Sequence, residues 1–194
     1  MNSNFNAMNP NNKMHSVFIK GVEEIIGPEA ARDVFSQTMQ IEPGLPLLRE
    51  VQRALAARYG PQSGLGVALR TGRAAFKYSL RAWGEESGIT SSSFRLLPFS
   101  RRVRAGLEKM AAVFSENDQT RIRVDEDDGH WIWQVECCPG CAASGDPACY
   151  LLTGLLQEYM AWVAGGKYFR VQEFTCDANG SPACQFRIEK QAME

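Results

Sequence analysis

In the first part of the chain, apolar residues recur every three or four positions, the spacing of an amphipathic helix. The helices that this spacing predicts span about 15–26, 28–40, 46–59, 66–83 and 103–114. Pro28 suits a first helical turn because it has no N–H group to leave unpaired there. In the fourth helix, Gly72 and Ala75 are small enough to let another backbone approach closely. We therefore expect this helix to pack at the centre of the fold.

After residue 120 the period of the pattern changes from helical to alternating. Residues 122–124 and 131–135 alternate between apolar and polar side chains around an Asp-Asp-Gly turn, which predicts a β-hairpin. The remaining predicted elements are a helix over about 147–164 and strands over about 168–174 and 185–189, the strands joined through Asn179 and Gly180. This order predicts an α+β fold in which N-terminal helices pack on one small antiparallel sheet.

A length of 194 residues fits one domain, which we place at 15–190, with an Asn-rich tail over 1–14 that we expect to be disordered. The net charge of −1 gives no broad basic surface, which argues against a nucleic-acid binder. The basic cluster of Arg101, Arg102, Arg104 and Lys109 reads as a solvated helix face. No apolar run is long enough to span a membrane and no signal peptide is evident, so we expect a soluble, cytoplasmic protein.

In a reducing cytoplasm, the six cysteines are better interpreted as metal ligands or buried thiols than as disulfides. Cys149, Glu173, Cys176 and Cys184 bring three thiols and one carboxylate into a short stretch, which suits a closed, structural zinc site. Cys149 follows the predicted helix start at Asp146 and Pro147, where the helix dipole favours a thiolate. On a regular strand, Glu173 and Cys176 face opposite sides, so a shared ion requires a bulge between them. Buried thiols without a metal are the alternative.

A second cysteine motif competes for this role. Cys138-Pro-Gly-Cys141, preceded by Cys137, is a C-x-x-C sequence that can bind zinc or cycle as a dithiol. A rival zinc site pairs Cys138 and Cys141 with Cys176 and Cys184. The motif also fits an ordinary proline-glycine turn with spare thiols.

Candidate ligand-binding residues lie on the first hairpin and on two helices. Trp131 and Trp133 share one strand face and offer flat apolar area to a ligand, with His130 beside them for a hydrogen bond. Phe76 and Phe114 complete the predicted pocket. The alternative is that the aromatic residues are ordinary core and that His130 is solvated.

Several of these segments resemble the vinyl-4-reductase (hydrocarbon-binding) domain family. The segments that carry the resemblance are 72–76, 145–149, 152–154, 165–166, 173–176 and 180–186. The family includes the sensory domains of aromatic-responsive transcription activators and shares the NO-signalling/Golgi-transport ligand-binding fold with Golgi tethering subunits. The resemblance implies a domain that commonly dimerises, with an apolar pocket between helices and sheet. It also implies zinc at Cys149, Glu173, Cys176 and Cys184.

Catalysis has little support in the sequence, which contains two histidines and no Gly-rich phosphate loop after a strand. We therefore expect a non-catalytic, zinc-stabilised homodimer that binds an apolar, aromatic or hydrocarbon molecule and signals to a partner protein. One alternative is a tethering subunit with a lipid-filled pocket, which exposed apolar patches around Gly72 and Ala75 would favour. Another is an accessory protein of tetrapyrrole metabolism.

Overall fold

The computed structural model of this protein describes residues 13–36, 44–117, 121–136, 149–176, 181 and 183–193. The helices in this part of the chain are α1 Lys13–Ile26, α2 Pro28–Ser36, α3 Leu45–Tyr59, α4 Pro61–Trp83, α5 Ser92–Arg95, α6 Phe99–Asn117 and α7 Tyr150–Val163. The strands are β1 Arg121–Glu126, β2 His130–Glu136, β3 Phe169–Thr175 and β4 Ala183–Ala192.

The observed helix boundaries differ from the predicted ones at positions where the sequence shows no apolar periodicity. Helix α4 begins at Pro61, directly after Gly60 with its positive φ of 84°, and thus earlier than the apolar stripe indicates. Helix α1 begins at Lys13 and buries Met14, so the domain extends into the stretch predicted as a tail. The serine-rich loop contains the short helix α5, which Ser91 caps by accepting a hydrogen bond from Phe94 N at 3.2 Å.

Helix α4 lies between α1 and α7, as the small residues in its sequence predict. A Cβ atom placed on Gly72 would lie 1.9 Å from the carbonyl oxygen of Leu151 in α7. One placed on Gly154 in α7 would lie 2.0 Å from the carbonyl oxygen of Leu69 in α4. The two glycines therefore let these helices touch backbone to backbone.

The four described strands form one antiparallel sheet in the order β1-β2-β4-β3. On its inner face, Trp131 pairs with Ile188 and Trp133 with Phe186, and all four side chains are buried. The tryptophan face of the first hairpin therefore points inward, as predicted. Helices packed on a small antiparallel sheet confirm the α+β fold class. None of the helices formed by the described residues is long and apolar enough to cross a membrane.

Candidate ligand cleft and metal centre

Three of the four predicted zinc ligands meet where β3 and β4 come together. The ligand atoms of Glu173, Cys176 and Cys184 all lie within 4.8 Å of one another. Both cysteines are buried, and their sulfur atoms are 3.8 Å apart. The site therefore brings two thiols and one carboxylate into the interior of the protein.

A β-bulge in β3 places these ligands on one side of the sheet. Glu173 pairs with Phe186, but Thr175 pairs with Gln185, so two steps along β3 match one step along β4. The extra residue reverses the alternation, and Cys176 returns to the inner face that Glu173 already occupies. The bulge between Glu173 and Cys176 that a shared metal ion requires is therefore present.

The N-terminus of α7 lies against this cluster. The backbone N–H of Cys149 donates to Glu173 Oε2 at 2.6 Å, and that of Tyr150 donates to Gln52 Oε1 at 2.8 Å. Glu173 thus places its negative charge at the positive end of the helix dipole. Among the described residues, the three-membered ligand group does not include the Cys149 sulfur. The predicted cap at Asp146 and Pro147 lies outside the described residues, as do Cys137, Cys138 and Cys141.

The cluster fits the coordination geometry of zinc. Two sulfur ligands at the usual Zn–S distance of about 2.3 Å on a tetrahedral ion are about 3.8 Å apart, which is the spacing of Cys176 and Cys184. Glu173 supplies the oxygen of an S₂O set, and one further ligand completes a closed tetrahedral site. A disulfide, in contrast, requires a sulfur separation of about 2.05 Å.

A second feature is an apolar cleft lined by residues of α1, α4, α6 and α7 and of the 84–91 turn. The space in it that a water-sized sphere can occupy is about 40 Å³, and the empty volume is about 490 Å³ when the open solvent side is included. The residues that line it are Met14, Phe18, Phe76, Ser79, Leu80, Trp83, Gly84, Ser87, Ile89, Lys109, Met110, Val113, Phe114 and Leu155. Two of the predicted ligand-binding residues, Phe76 and Phe114, lie in the wall of this cleft.

The structure does not bring the other three predicted ligand residues to this cleft. Trp133 packs behind Phe114 with ring centroids 6.0 Å apart, and Trp131 packs on Phe99 at 6.1 Å. Both indoles fill the core between sheet and helices. His130 is the first residue of β2, directly after the β1–β2 turn, and its Nδ1 is 3.1 Å from Asp127 Oδ1. The N–H of Gly129 also donates to this carboxylate and lowers the pKa of Asp127.

The predicted solvated basic face of α6 is correct for Arg101 and Arg104 and wrong for two residues. Arg102 is half-buried and donates to Val163 O at 3.3 Å at the C-terminal end of α7. Lys109 lines the cleft, and its ammonium donates to the carbonyl oxygen of Ser87. The position of Lys109 in the sequence could have indicated this role in the cleft. Lys109 borders the apolar stripe of α6 that contains Met110 and Val113.

A more open groove lies at the far end of α7. It is lined by Phe94, Arg95, Phe99, Arg102, Trp162, Val163, Ala164 and Gly165. The rings of Phe94 and Trp162 stack there with centroids 6.2 Å apart. This groove shares no lining residue with the cleft.

Comparison with known proteins identifies a family model and a fold. The model of the vinyl-4-reductase domain matches residues 131–190. An H-NOX protein from S. oneidensis in its Fe(II)NO ligation state aligns with a TM-score of 0.62 at 13% identity, over 96% of this chain and 100% of that chain. The IWP-051-bound H-NOX from Shewanella woodyi gives 0.51 at 13% identity, over 92% and 93%. No curated protein matches the sequence significantly.

The phenol-responsive sensory domain of the transcription activator PoxR, solved with phenol, gives a TM-score of 0.49 at 18% identity, over 77% of this chain and 76% of that chain. The segment that matches the family model contains β2, α7, β3 and β4, and with them the cluster of Glu173, Cys176 and Cys184. The family resemblance drawn from the sequence is confirmed: residues 131–190 match the vinyl-4-reductase domain, and the chain shares the fold of H-NOX proteins.

Proposed function

We propose that this protein is a non-catalytic sensory module that binds the apolar body of a small molecule in the cleft between α1, α4, α6 and α7. The observation that carries the proposal is the cleft itself. Its wall consists mainly of apolar side chains, four of them aromatic rings at Phe18, Phe76, Trp83 and Phe114, and it is partly open to solvent. The match to the vinyl-4-reductase domain gives further support, since the family resemblance implies a hydrocarbon-binding pocket.

The apolar surface that a ligand buries sets the scale of the affinity. A ligand with an eight-carbon chain that buries about 250 Å² of apolar surface gains roughly 6 kcal/mol at about 25 cal/mol per Å². The loss of translational and rotational freedom offsets part of that gain. We therefore expect dissociation constants between about 1 μM and 1 mM for simple ligands.

A binding role without chemistry fits the residues in the wall. In the described part of the chain, no histidine, cysteine, aspartate or glutamate lines the cleft. General acid–base catalysis requires at least one such group, or a lysine with a strongly lowered pKa, beside the reacting atoms.

Filling the cleft tests the proposal. The neutral fluorescent dye N-phenyl-1-naphthylamine should bind the wild-type protein with enhanced emission. Met110→Trp adds an indole to the lining and should weaken dye binding at least tenfold. Ala112→Trp adds the same group on the same helix at an exposed position and should leave it unchanged. If the two variants bind the dye with equal affinity, the cleft is not the binding site.

We propose, as a second part of the function, that Cys149, Glu173, Cys176 and Cys184 hold a structural zinc ion. The S₂O set of two buried thiols and one half-buried carboxylate supports this, because its ligand atoms lie within 4.8 Å of one another. The backbone N–H of Cys149 donates to Glu173, and this contact supports Cys149 as the fourth ligand. Such an ion would fasten the start of α7 to β3 and β4.

Metal analysis of the purified protein tests this part. The wild type should contain about one zinc per chain, as expected for one closed tetrahedral site. Cys176→Ser and Cys149→Ser should lose the zinc, and Cys138→Ser should keep it. Loss in Cys138→Ser with retention in Cys149→Ser would move the fourth ligand to the C-x-x-C motif. A wild-type protein without bound metal would mean that these cysteines are buried thiols and not zinc ligands.

The tethering alternative loses the feature that would favour it, because Gly72 and Ala75 are buried against neighbouring helices. The homodimer, the partner protein for signal output and the cytoplasmic location stay predictions. The tetrapyrrole alternative has a simple test, since a bound tetrapyrrole would give the purified protein visible absorbance.

A further inference from the structure

The polar groups that line the cleft include one charged, half-buried side chain. Of the described residues that line the cleft, Lys109 is the only one that carries a charge. Its ammonium donates to the Ser87 carbonyl oxygen. An ammonium group has three N–H donors, so this bond leaves two for other acceptors.

Carboxylates of neighbouring residues are paired with other cations. Glu86 binds Lys13 at 2.9 Å, and Glu108 binds Arg104 at 3.0 Å. Within the described residues, no carboxylate oxygen lies within 4.0 Å of the Lys109 ammonium. The positive charge of Lys109 thus has no carboxylate counter-ion in the part of the chain that the structure describes.

The two hydroxyl groups of the lining are already engaged with the backbone. Ser79 donates to the Ala75 carbonyl oxygen at 3.1 Å, and Ser87 donates to the Gly84 carbonyl oxygen at 3.4 Å. Lys109 is therefore the lining group best placed to bind a polar atom of a ligand. An apolar wall with one half-buried cation matches a molecule with an apolar body and an anionic head.

We propose that the natural ligand is an amphiphile of this kind, such as a medium-chain or aryl carboxylate, and that Lys109 binds its head group. The proposal rests on the function proposed for the cleft and specifies its ligand class. The half-buried position of Lys109 limits solvent screening of the contact, and a charge-assisted hydrogen bond there should strengthen binding about tenfold or more.

Octanoate and octan-1-ol, which share the chain and differ in the head group, separate the two proposals. Displacement of N-phenyl-1-naphthylamine measures the affinity of each. Octanoate should bind wild type at least tenfold more tightly than octan-1-ol does. Lys109→Met should abolish that preference, and Lys109→Arg should retain most of it. Circular dichroism at 222 nm and the urea unfolding midpoint, both compared with wild type, show whether the Lys109→Met variant is folded.

Arg101→Met removes an exposed charge from the same helix, outside the cleft, and should leave the preference intact. Equal affinities of octanoate and octan-1-ol for wild type would overturn the head-group proposal and leave the apolar cleft standing. If Arg101→Met lowers the affinity for octanoate as much as Lys109→Met does, the head-group proposal is likewise overturned and the apolar cleft stands. Failure of both compounds to displace the dye would overturn the proposed function and this proposal with it.

Discussion

Replacing Gly72 with alanine should force α4 and α7 apart, because the added methyl group has no space between them. Its carbon would lie 1.9 Å from Leu151 O, 2.8 Å from Leu151 C and 3.0 Å from Leu155 N, all backbone atoms of α7. Ordinary contact begins at about 3.5 Å, so the helices must separate locally by roughly 1.5 Å. Rotation of a side chain cannot relieve this contact.

The expected loss of stability combines two opposing effects. Overpacking of this kind costs about 1–3 kcal/mol and occasionally more, and a backbone obstacle places Gly72→Ala at or above the upper end. The higher helix propensity of alanine returns about 1 kcal/mol. The net loss in the free energy of unfolding should therefore be about 2 kcal/mol or more.

Urea unfolding followed by circular dichroism at 222 nm measures this loss. The matched control is Gly66→Ala in the same helix, where an added Cβ meets no atom within 4 Å. That variant should gain about 0.5–1 kcal/mol from helix propensity alone. If Gly72→Ala proves as stable as Gly66→Ala, the close approach of α4 and α7 is wrong.

Two further predictions concern α7 and its partners. Glu173→Ala removes the acceptor for the Cys149 N–H at the start of α7 and should lower the free energy of unfolding by about 1–2 kcal/mol. A melting temperature equal to that of wild type in metal-free buffer would contradict this role. Burial raises the pKa of the Tyr159 hydroxyl, which donates to Val103 O at 2.7 Å. The neutral phenol therefore stabilises the fold below the unfolded pKa of about 10 and loses that contribution as the pH rises above it. Between pH 8 and pH 11, wild type should lose more stability than Tyr159→Phe, and parallel losses would refute the assignment.

Much of the fold follows from periodicity and residue size. The change from helical to alternating spacing near residue 120 separates the helices from the sheet, and Gly72 marks the closest helix contact. Periodicity and residue size do not predict the start of α4 at Pro61 or the short helix α5. Their first turns contain few apolar residues and are held by a proline and by the Ser91 cap.

The candidate sites follow from the sequence in part. A shared ion demands a bulge between Glu173 and Cys176, and the strand register contains it. Alternation shows that Trp131 and Trp133 face inward, but it does not distinguish the wall of a cleft from solid core. The roles of Lys109 and Arg102 depend on which elements pack beside α6, and a single helix does not reveal its neighbours.

Fluorine NMR of protein labelled with 5-fluorotryptophan tests the central claim most directly, because the four tryptophans sample different parts of the molecule. Trp83 lines the cleft, Trp162 lines the open groove, and Trp131 lies in the core against Phe99. Trp-to-Phe variants assign the signals. Added octanoate should shift the Trp83 resonance most and that of Trp131 least. A response confined to Trp162, or no response at any tryptophan, would contradict a ligand in the cleft.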